Sequence, residues 1–263
     1  MSGLAERIAL RVGRSVFDAL AAVGRFTDLM VEMGRGLVEV RIWLPRTFDE
    51  AWNIGVGSLF IVLMISSFTG GVTALQAGYQ FTGNIPIYVV GSLVTESVVL
   101  ELGPVLVALI LAGRIGARYA AELGTMRVTE QIDALESLGR SPASHLLIPR
   151  VLACLLMIPV LVIVADVVAV STGWFIAKGT LGISDQDFAY GARVYWHTLD
   201  GWYSIIKGFF FAATIGLISC YRGYTTKQGA EGVGRSVTGA VVTTCVLILL
   251  LDVVLAKLIL KPQ

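Results

Sequence analysis

Charged residues are scarce in this sequence: Asp, Glu, Lys and Arg together make up only 15% of its 263 residues. The hydrophobic share is 56% and the mean hydropathy is +0.78. Soluble domains carry about 25% charged residues, so this composition excludes an ordinary water-soluble protein. The sequence is therefore that of a membrane protein.

Residue types that carry enzyme or metal chemistry are also few. Cys154, Cys220 and Cys245 lie in apolar stretches without metal-ligand spacing, which predicts small buried side chains and no disulfide or zinc site. His145 and His197 fall in different loops, and no Ser-His-Asp pattern is evident. The sequence has no G-x-x-x-x-G-K-S/T phosphate loop. We predict that the chain is not an enzyme and binds no metal or cofactor.

Long hydrophobic runs are abundant, and about 20 helical residues suffice to cross a bilayer. The runs lack the alternation of a membrane β-barrel, so α-helical spans are predicted. The predicted spans are residues 54–76, 89–113, 146–177, 204–221 and 236–260, of which the fourth is the shortest. The predicted fold class is an all-α membrane protein in which residues 1–263 form a single domain.

The distribution of Lys and Arg predicts the orientation, because basic loops are retained on the cytoplasmic side. Arginines are frequent before span one and between spans two and three. Arg222, Lys227 and Arg235 lie between spans four and five, and the other loops have few basic residues. Five spans with a cytoplasmic N-terminus and an external C-terminus satisfy every loop, which supports the short fourth span.

The N-terminal segment, residues 1–50, is amphipathic. Its apolar residues recur at steps of three or four, with arginines between them, and Trp43 and Pro45 come near its end. This pattern predicts a helix that lies in the cytoplasmic interface and then turns into the membrane. The alternative is a soluble helical arm that docks on a partner.

A short helix is predicted in the loop between spans two and three, at residues 129–139, TEQIDALESLG. Acids occupy one helical face and apolar residues the other. The acids are Glu130, Asp133 and Glu136, and the apolar residues are Ile132, Leu135 and Leu138. Thr129 is the expected N-cap, and Gly139 followed by Pro142 ends the helix. The apolar stripe favours docking of a cytoplasmic partner, whereas the alternative is a solvated linker helix.

Several ionisable residues fall inside the predicted spans, where charges are costly and usually face cavities or partners. They are Glu96, Glu101, Asp166, Lys207 and Asp252. Glu101 is near the middle of span two, just before Pro104. Lys207 can pair with Asp252 or Asp166, which would neutralise the buried charge.

Residues 101–142, ELGPVLVALILAGRIGARYAAELGTMRVTEQIDALESLGRSP, closely resemble the MlaE (YrbE) permeases of MCE-type lipid ABC transporters. The resemblance extends over nearly the whole chain, with the interfacial helix, five spans and the ELGPV, AGR and EQxDAL-like segments in the same order. It implies a homodimeric permease of the bacterial inner membrane with a periplasmic C-terminus. Such permeases move phospholipids or other lipids and maintain the lipid asymmetry of the outer membrane.

The resemblance also implies partners. Residues 130–138 match the coupling helix that binds an ATPase subunit, and that subunit would bind ATP and Mg²⁺. A periplasmic ring of MCE-domain proteins would exchange lipid with the permease. Membrane lipids complete the set, and no nucleic-acid partner is expected.

In the family, positions matching Glu101, Lys207 and Asp252 surround the lipid pathway at the centre of the dimer. The outer end of span one is expected to frame the pocket mouth, unless its aromatic residues form an ordinary interfacial belt. The expected pathway residues are Glu101, Leu102, Lys207, Asp252, Gln76, Tyr79 and Phe81. One departure is Leu100, which stands where several relatives have a basic residue.

Two other functions compete with this interpretation. A proton-coupled secondary transporter could use Glu101 and Asp252 as proton sites. It is disfavoured because five spans show no internal repeat of paired broken helices, and because the helix at 129–139 would have no role. A structural scaffold for a periplasmic ring would not need the buried charges.

Overall fold

The computed structural model describes the backbone of residues 2–80, 86–227 and 229–259, and the side chains within these ranges from Leu20 onward together with that of Phe17. Within these ranges the chain is helical and has no strand. Five helices are long and apolar enough to cross a membrane, and an N-terminal helix precedes them. The predicted all-α membrane fold is confirmed. Phe81 and residue 260, the predicted end of span five, lie outside the described residues.

The helices are, in chain order, α1 (Ser2–Gly36), α2 (Val40–Gln80), α3 (Val89–Ser97), α4 (Gly103–Leu111), α5 (Ala117–Val128), α6 (Gln131–Ser137), α7 (Ile148–Leu181), α8 (Asp185–Val194), α9 (Thr198–Tyr224) and α10 (Ala230–Ile259). Three π-helical turns lie between these helices. One connects α3 to α4 (Val98–Leu102), one connects α4 to α5 (Ala112–Gly116), and one leads into α7 (Ala143–Leu147).

The five spans are α2, the continuous unit α3 to α5, α7 with its preceding turn, α9, and α10. Each extends beyond the predicted bounds; span two, for example, runs over Val89–Val128. Helix α6 follows span two and α8 follows span three, so the two lie at opposite ends of the bundle. We call these the α6 end and the α8 end.

The chain bends earlier than predicted between the N-terminal helix and span one. Helix α1 ends at Gly36, and Trp43 and Pro45 belong to α2, so the predicted boundary at residue 50 is wrong. The indole Nε1 of Trp43 donates to the carbonyl of Leu37 at 3.0 Å, which closes the bend. Pro45 lies in the second turn of α2, where its ring nitrogen cannot donate a backbone hydrogen bond, yet the helix continues through it.

Small residues allow the spans to pack closely. A Cβ on Gly70 of α2 would lie 1.8 Å from the carbonyl oxygen of Ala169 on α7, so only glycine permits this approach. Side chains from spans two and four, among them Leu111, Phe211 and Ile215, are fully buried in the main core. The outer faces carry many exposed large apolar residues, as membrane-facing surfaces do.

Helix α8 lies within the segment that the sequence analysis treats as a loop. Its N-cap is Ser184, whose hydroxyl accepts a hydrogen bond from the Asp187 N–H. Phe188 is buried, and Gly191 lies against the carbonyl of Tyr88, so α8 packs on the start of span two. The bundle is thereby covered at the α8 end.

Candidate functional site

A π-helical turn interrupts span two at Val98–Leu102 and contains Glu101. Such single turns are rare and occur often at functional sites. The turn widens the helix, and the Gly103 N–H donates to the carbonyl of Val98. The Leu100 carbonyl accepts a hydrogen bond from the ammonium of Lys207 at 2.8 Å. The turn therefore brings both a side chain and a backbone oxygen of span two to span four.

Lys207 is fully buried and binds two carboxylates. Its Nζ lies 2.6 Å from Glu101 Oε2 and 2.6 Å from Asp252 Oδ1. It also lies 4.6 Å from the centroid of the Tyr203 ring, within cation–π range. We call Lys207, Glu101 and Asp252 the Lys207 triad. It joins spans two, four and five inside the membrane-spanning region, where an unpaired ammonium would be very costly.

The two carboxylates of the Lys207 triad differ in exposure. The side chain of Glu101 is 52% exposed, whereas that of Asp252 is 10% exposed. With one cation and two carboxylates the triad carries a formal charge of −1. Glu101 is therefore the member that a polar ligand group can reach, while Asp252 holds Lys207 from inside.

Asp166 is held by a different group. It accepts a hydrogen bond of 2.6 Å from the hydroxyl of Ser204, one turn before Lys207 on α9. The Oδ1 atom of Asp166 lies against Gly103, and a Cβ atom added to Gly103 would lie 1.8 Å from that oxygen. Asp166 also lines a largely apolar cavity of about 600 Å³ that includes Trp196. Of the two predicted partners of Lys207, the structure selects Asp252.

The remaining predicted pathway residues are placed separately. Leu102 is partly buried beside Glu101. Gln76 and Tyr79 are exposed at the α8 end of α2, and within the described part of the chain no hydrogen bond or ion pair joins them to the Lys207 triad. Phe81 lies outside the described residues. The structure thus assembles three of the seven residues into one cluster.

Helix α6 is one residue shorter at its start than the sequence suggests. Thr129 belongs to the end of α5, where its hydroxyl donates to the carbonyl of Thr125 at 2.8 Å, so its predicted role as N-cap is wrong. The turn is made by Glu130, which adopts a left-handed conformation with φ 59°. A threonine hydroxyl can satisfy the carbonyl one turn back as readily as it caps a following helix, and here that local bond prevails.

The end of α6 follows the prediction. Gly139 has φ +70°, and its N–H donates to the carbonyl of Glu136 at 2.9 Å. The N–H of Arg140 donates to the carbonyl of Leu135 at 3.1 Å. These two bonds form a Schellman motif, which requires the left-handed conformation that glycine adopts without strain.

The apolar face of α6 is divided between the chain itself and the surface. Ile132 is fully buried, so its predicted place in a docking stripe is wrong: it anchors α6 to the rest of the protein. Leu135 is partly buried and Leu138 is 75% exposed. These two leucines remain available to a partner.

Both acids of α6, Asp133 and Glu136, have partners within the chain, whereas the third predicted acid, Glu130, precedes the helix. Asp133 Oδ1 lies 2.5 Å from Arg127 Nη1, and Glu136 accepts a hydrogen bond of 3.2 Å from the hydroxyl of Tyr224. The carboxylate of Glu32 on α1 also lies near Glu136. Burial raises the pKa of Glu32, and repulsion from Glu136 raises it further. Helix α6 is therefore positioned by contacts with α5 and α9.

A second ionic cluster, which the sequence analysis did not find, lies at the α6 end. Arg150 Nη2 is 3.0 Å from Glu122 Oε2, and its Nε is 4.0 Å from Glu50 Oε1. Arg118 is 2.6 Å from Glu122 and 3.7 Å from Glu50, and Arg150 stacks 5.5 Å from the centroid of the Tyr119 ring. We call these two arginines and two glutamates the Arg150 network. The sequence feature that could have indicated this network is the presence of acidic and basic residues at the ends of spans one, two and three.

Comparison with known proteins gives a consistent result. The family model described as Permease MlaE matches residues 47–258. A probable ABC transporter permease protein of Rickettsia prowazekii is 35% identical over 97% of this chain and 98% of its own length. A probable ABC transporter permease protein of Synechocystis is 36% identical over 79% of this chain and 79% of its own length. One of Pyropia yezoensis is 36% identical over 84% of this chain and 84% of its own length. The chain therefore belongs to the MlaE permease family of ABC transporter permeases.

Proposed function

We propose that this chain is the membrane subunit of an ATP-driven transporter that moves phospholipids or related lipids. It works as a homodimer in the bacterial inner membrane and exchanges lipid with a periplasmic ring of MCE-domain proteins, which maintains outer-membrane lipid asymmetry. The observation that carries this proposal is the Lys207 triad. It places a half-exposed carboxylate, Glu101, within otherwise apolar spans.

A lipid has an apolar body and a polar headgroup, and its path must accommodate both. The spans supply the apolar surface, and the Lys207 triad supplies charge at one defined position. The triad is held by hydrogen bonds and ion pairs from three spans, so its geometry is fixed before a ligand arrives. A preorganised polar group of this kind is what orients a ligand in a mostly apolar site.

Energy would come from a separate ATPase subunit that docks on α6. Leu135 and Leu138 would contact a groove on the ATPase, with Glu130 at the rim. This places the α6 end in the cytoplasm and the end of α10 in the periplasm, in agreement with the distribution of basic residues. A reporter enzyme fused after Gln263 should be active only outside the cytoplasm, and activity inside would contradict this orientation.

Transport can be measured with the permease and its ATPase reconstituted in liposomes that contain labelled phospholipid. We expect Glu101→Gln to reduce ATP-dependent lipid movement about tenfold or more, because a hydrogen bond to a charged group contributes about 1.5–3 kcal/mol. Glu96→Gln is the matched control, since Glu96 lies in the same span and outside the triad. Full transport by Glu101→Gln would contradict the proposal. Loss of transport on adding a protonophore, with ATP present, would favour the proton-coupled carrier.

Docking on α6 can be tested separately by copurification of the ATPase. Leu135→Asp and Leu138→Asp each place a carboxylate in an apolar contact, which should weaken the binding free energy of the ATPase by several kcal/mol. Both variants should therefore lose the copurifying ATPase and lipid movement. Glu136→Ala, a change outside that contact, should cost about 1 kcal/mol or less. If both leucine variants retain the ATPase and full transport, α6 is only a linker.

A further inference from the structure

A basic cavity of about 730 Å³ lies at the α6 end of the protein, between α1, the end of span two and the last turn of α9. Four cationic side chains line it: Arg25, Arg127, Arg222 and Lys227. No Asp or Glu is among its lining residues. We call it the basic cavity. It is distinct from the Lys207 triad, with which it shares no residue.

Three of the four cations have no carboxylate partner among the described side chains. Arg127 is compensated by Asp133 at 2.5 Å, in the ion pair already described. Arg222 Nη2 donates to the neutral hydroxyl of Thr243 at 2.9 Å. Among the side chains that the structure describes, no carboxylate lies within ion-pair distance of Arg25, Arg222 or Lys227. The basic cavity therefore concentrates positive charge that the described side chains do not neutralise.

Contacts between α1 and α9 frame the basic cavity at the end of the spans. The hydroxyl of Tyr221, at the end of α9, donates to the carbonyl of Ala22 at 3.1 Å. The rings of Tyr221 and Phe26 pack edge to face at a centroid distance of 5.5 Å. Helix α1 is amphipathic, and it exposes Leu20 and Val23 in the same turns that supply Ala22 and Arg25 to the cavity. Charged walls thus adjoin apolar surface where the spans end, as at a membrane interface.

We propose that the basic cavity binds the phosphate group of an anionic phospholipid at the α6 end of the permease. The guanidinium groups of Arg25 and Arg222 offer forked donors that match phosphate oxygens, and Lys227 adds a point charge. The acyl chains lie along the exposed apolar surface of α1. A free phosphate would gain nothing from that surface, which is why the lipid is the favoured source of the anion. Basic pockets between helices at the cytoplasmic side of a membrane recognise anionic headgroups in this way.

Native mass spectrometry of the detergent-solubilised permease can count bound lipids directly. Phosphatidylglycerol is the anionic probe, and phosphatidylcholine of the same chain length is the zwitterionic reference. Each single change Arg25→Gln, Arg222→Gln or Lys227→Gln should weaken phosphatidylglycerol binding about fivefold, and the triple variant should abolish the preference over phosphatidylcholine. The matched control carries Arg41→Gln, Arg140→Gln and Arg235→Gln, which removes the same charge outside the cavity.

Three outcomes would overturn the proposal. The first is equal retention of phosphatidylglycerol by the triple variant and the control. The second is binding of inorganic phosphate that displaces the lipid at millimolar concentration, which would indicate a site for a free anion. The third is loss of the copurifying ATPase with lipid retention unchanged, which would assign the cavity to a partner protein. If the triple variant does not fold, Lys227→Gln alone decides, because Lys227 is exposed in a loop.

Discussion

The Lys207 triad and the Arg150 network are built on the same plan at different places in the bundle. Each has a buried cation between two carboxylates and places that cation over a tyrosine ring, Tyr203 in one case and Tyr119 in the other. Each joins three spans. The triad ties together spans two, four and five, whereas the network ties together spans one, two and three near α6.

The difference between them is charge balance. Arg118 adds a second cation to the Arg150 network, so two arginines face two glutamates and the formal charge is zero. The Lys207 triad has no such second cation among the described residues, and its excess carboxylate, Glu101, is the exposed one. A balanced cluster can serve packing alone. An unbalanced cluster with an accessible member can also bind a polar ligand group, which is the basis of the proposed transport role.

The largest effect is expected from Arg150→Met. Removing the buried cation leaves Glu50 and Glu122 with only the partly exposed Arg118 as a partner, and breaking a buried ion pair costs about 3–5 kcal/mol. The apparent unfolding temperature of the purified permease measures the loss. Arg118→Met is the control, because Arg118 is 42% exposed and should cost about 1 kcal/mol or less. Equal decreases in unfolding temperature for the two variants would contradict the structural role assigned to Arg150.

A smaller loss of stability is expected from Lys207→Met, together with loss of lipid transport. Glu101 is half exposed, so only Asp252 is left buried without its partner, at about 1–3 kcal/mol. The variant should still assemble with the ATPase, which gel filtration and copurification measure. Failure to assemble would show that the triad, like the Arg150 network, serves structure alone.

Charge reversal tests the pairing of Lys207 with Asp252. Each single change, Lys207→Asp or Asp252→Lys, creates a repulsive contact, whereas the double variant restores opposite charges. The double variant should recover about 0.5–3 kcal/mol relative to the sum of the single losses, the usual coupling of residues in contact. Unfolding temperature and transport are both informative. Additive losses would argue against direct contact.

The smallest effect concerns Glu32 and Glu136, two carboxylates that have no cation between them in the described structure. Burial and this repulsion raise the pKa of Glu32 above its ordinary value of 4.5. The folded protein therefore holds the Glu32 proton more tightly than the unfolded chain, and stability is lost as pH rises through the raised pKa. Glu32→Gln should match the wild type in acid and be slightly more stable near pH 7. Parallel curves of unfolding temperature against pH would contradict this assignment.

Several features of the fold could be predicted from the sequence because they depend on local composition. Long apolar runs predict the five spans, and Gly139 predicts the end of α6 since that turn needs a left-handed residue. The beginning of α6 was harder to predict, because Thr129 can either cap a following helix or bond to the preceding turn. The break before span one was missed since Pro45 is compatible with the early turns of a helix.

The candidate site could be predicted only as a set of residue types. Glu101, Lys207 and Asp252 are visible in the sequence as charges inside apolar spans. Asp166 has the same signature, and the sequence does not distinguish it from Asp252 as the partner of Lys207. The role of Arg150 was not predicted, because a basic residue at the end of a span has the same appearance whether it faces water or a buried glutamate.

The sequence by itself determined that this protein is an all-α membrane protein with five spans and a short helix between spans two and three. It did so because hydrophobicity and turn chemistry act over neighbouring residues. Only the tertiary structure decided that Lys207 binds both Glu101 and Asp252, that Ile132 faces inward, and that the two ionic clusters differ in balance. These depend on how helices rotate and approach one another, and on the π-helical turn at Glu101, so they arise from contacts between residues that are far apart in the chain.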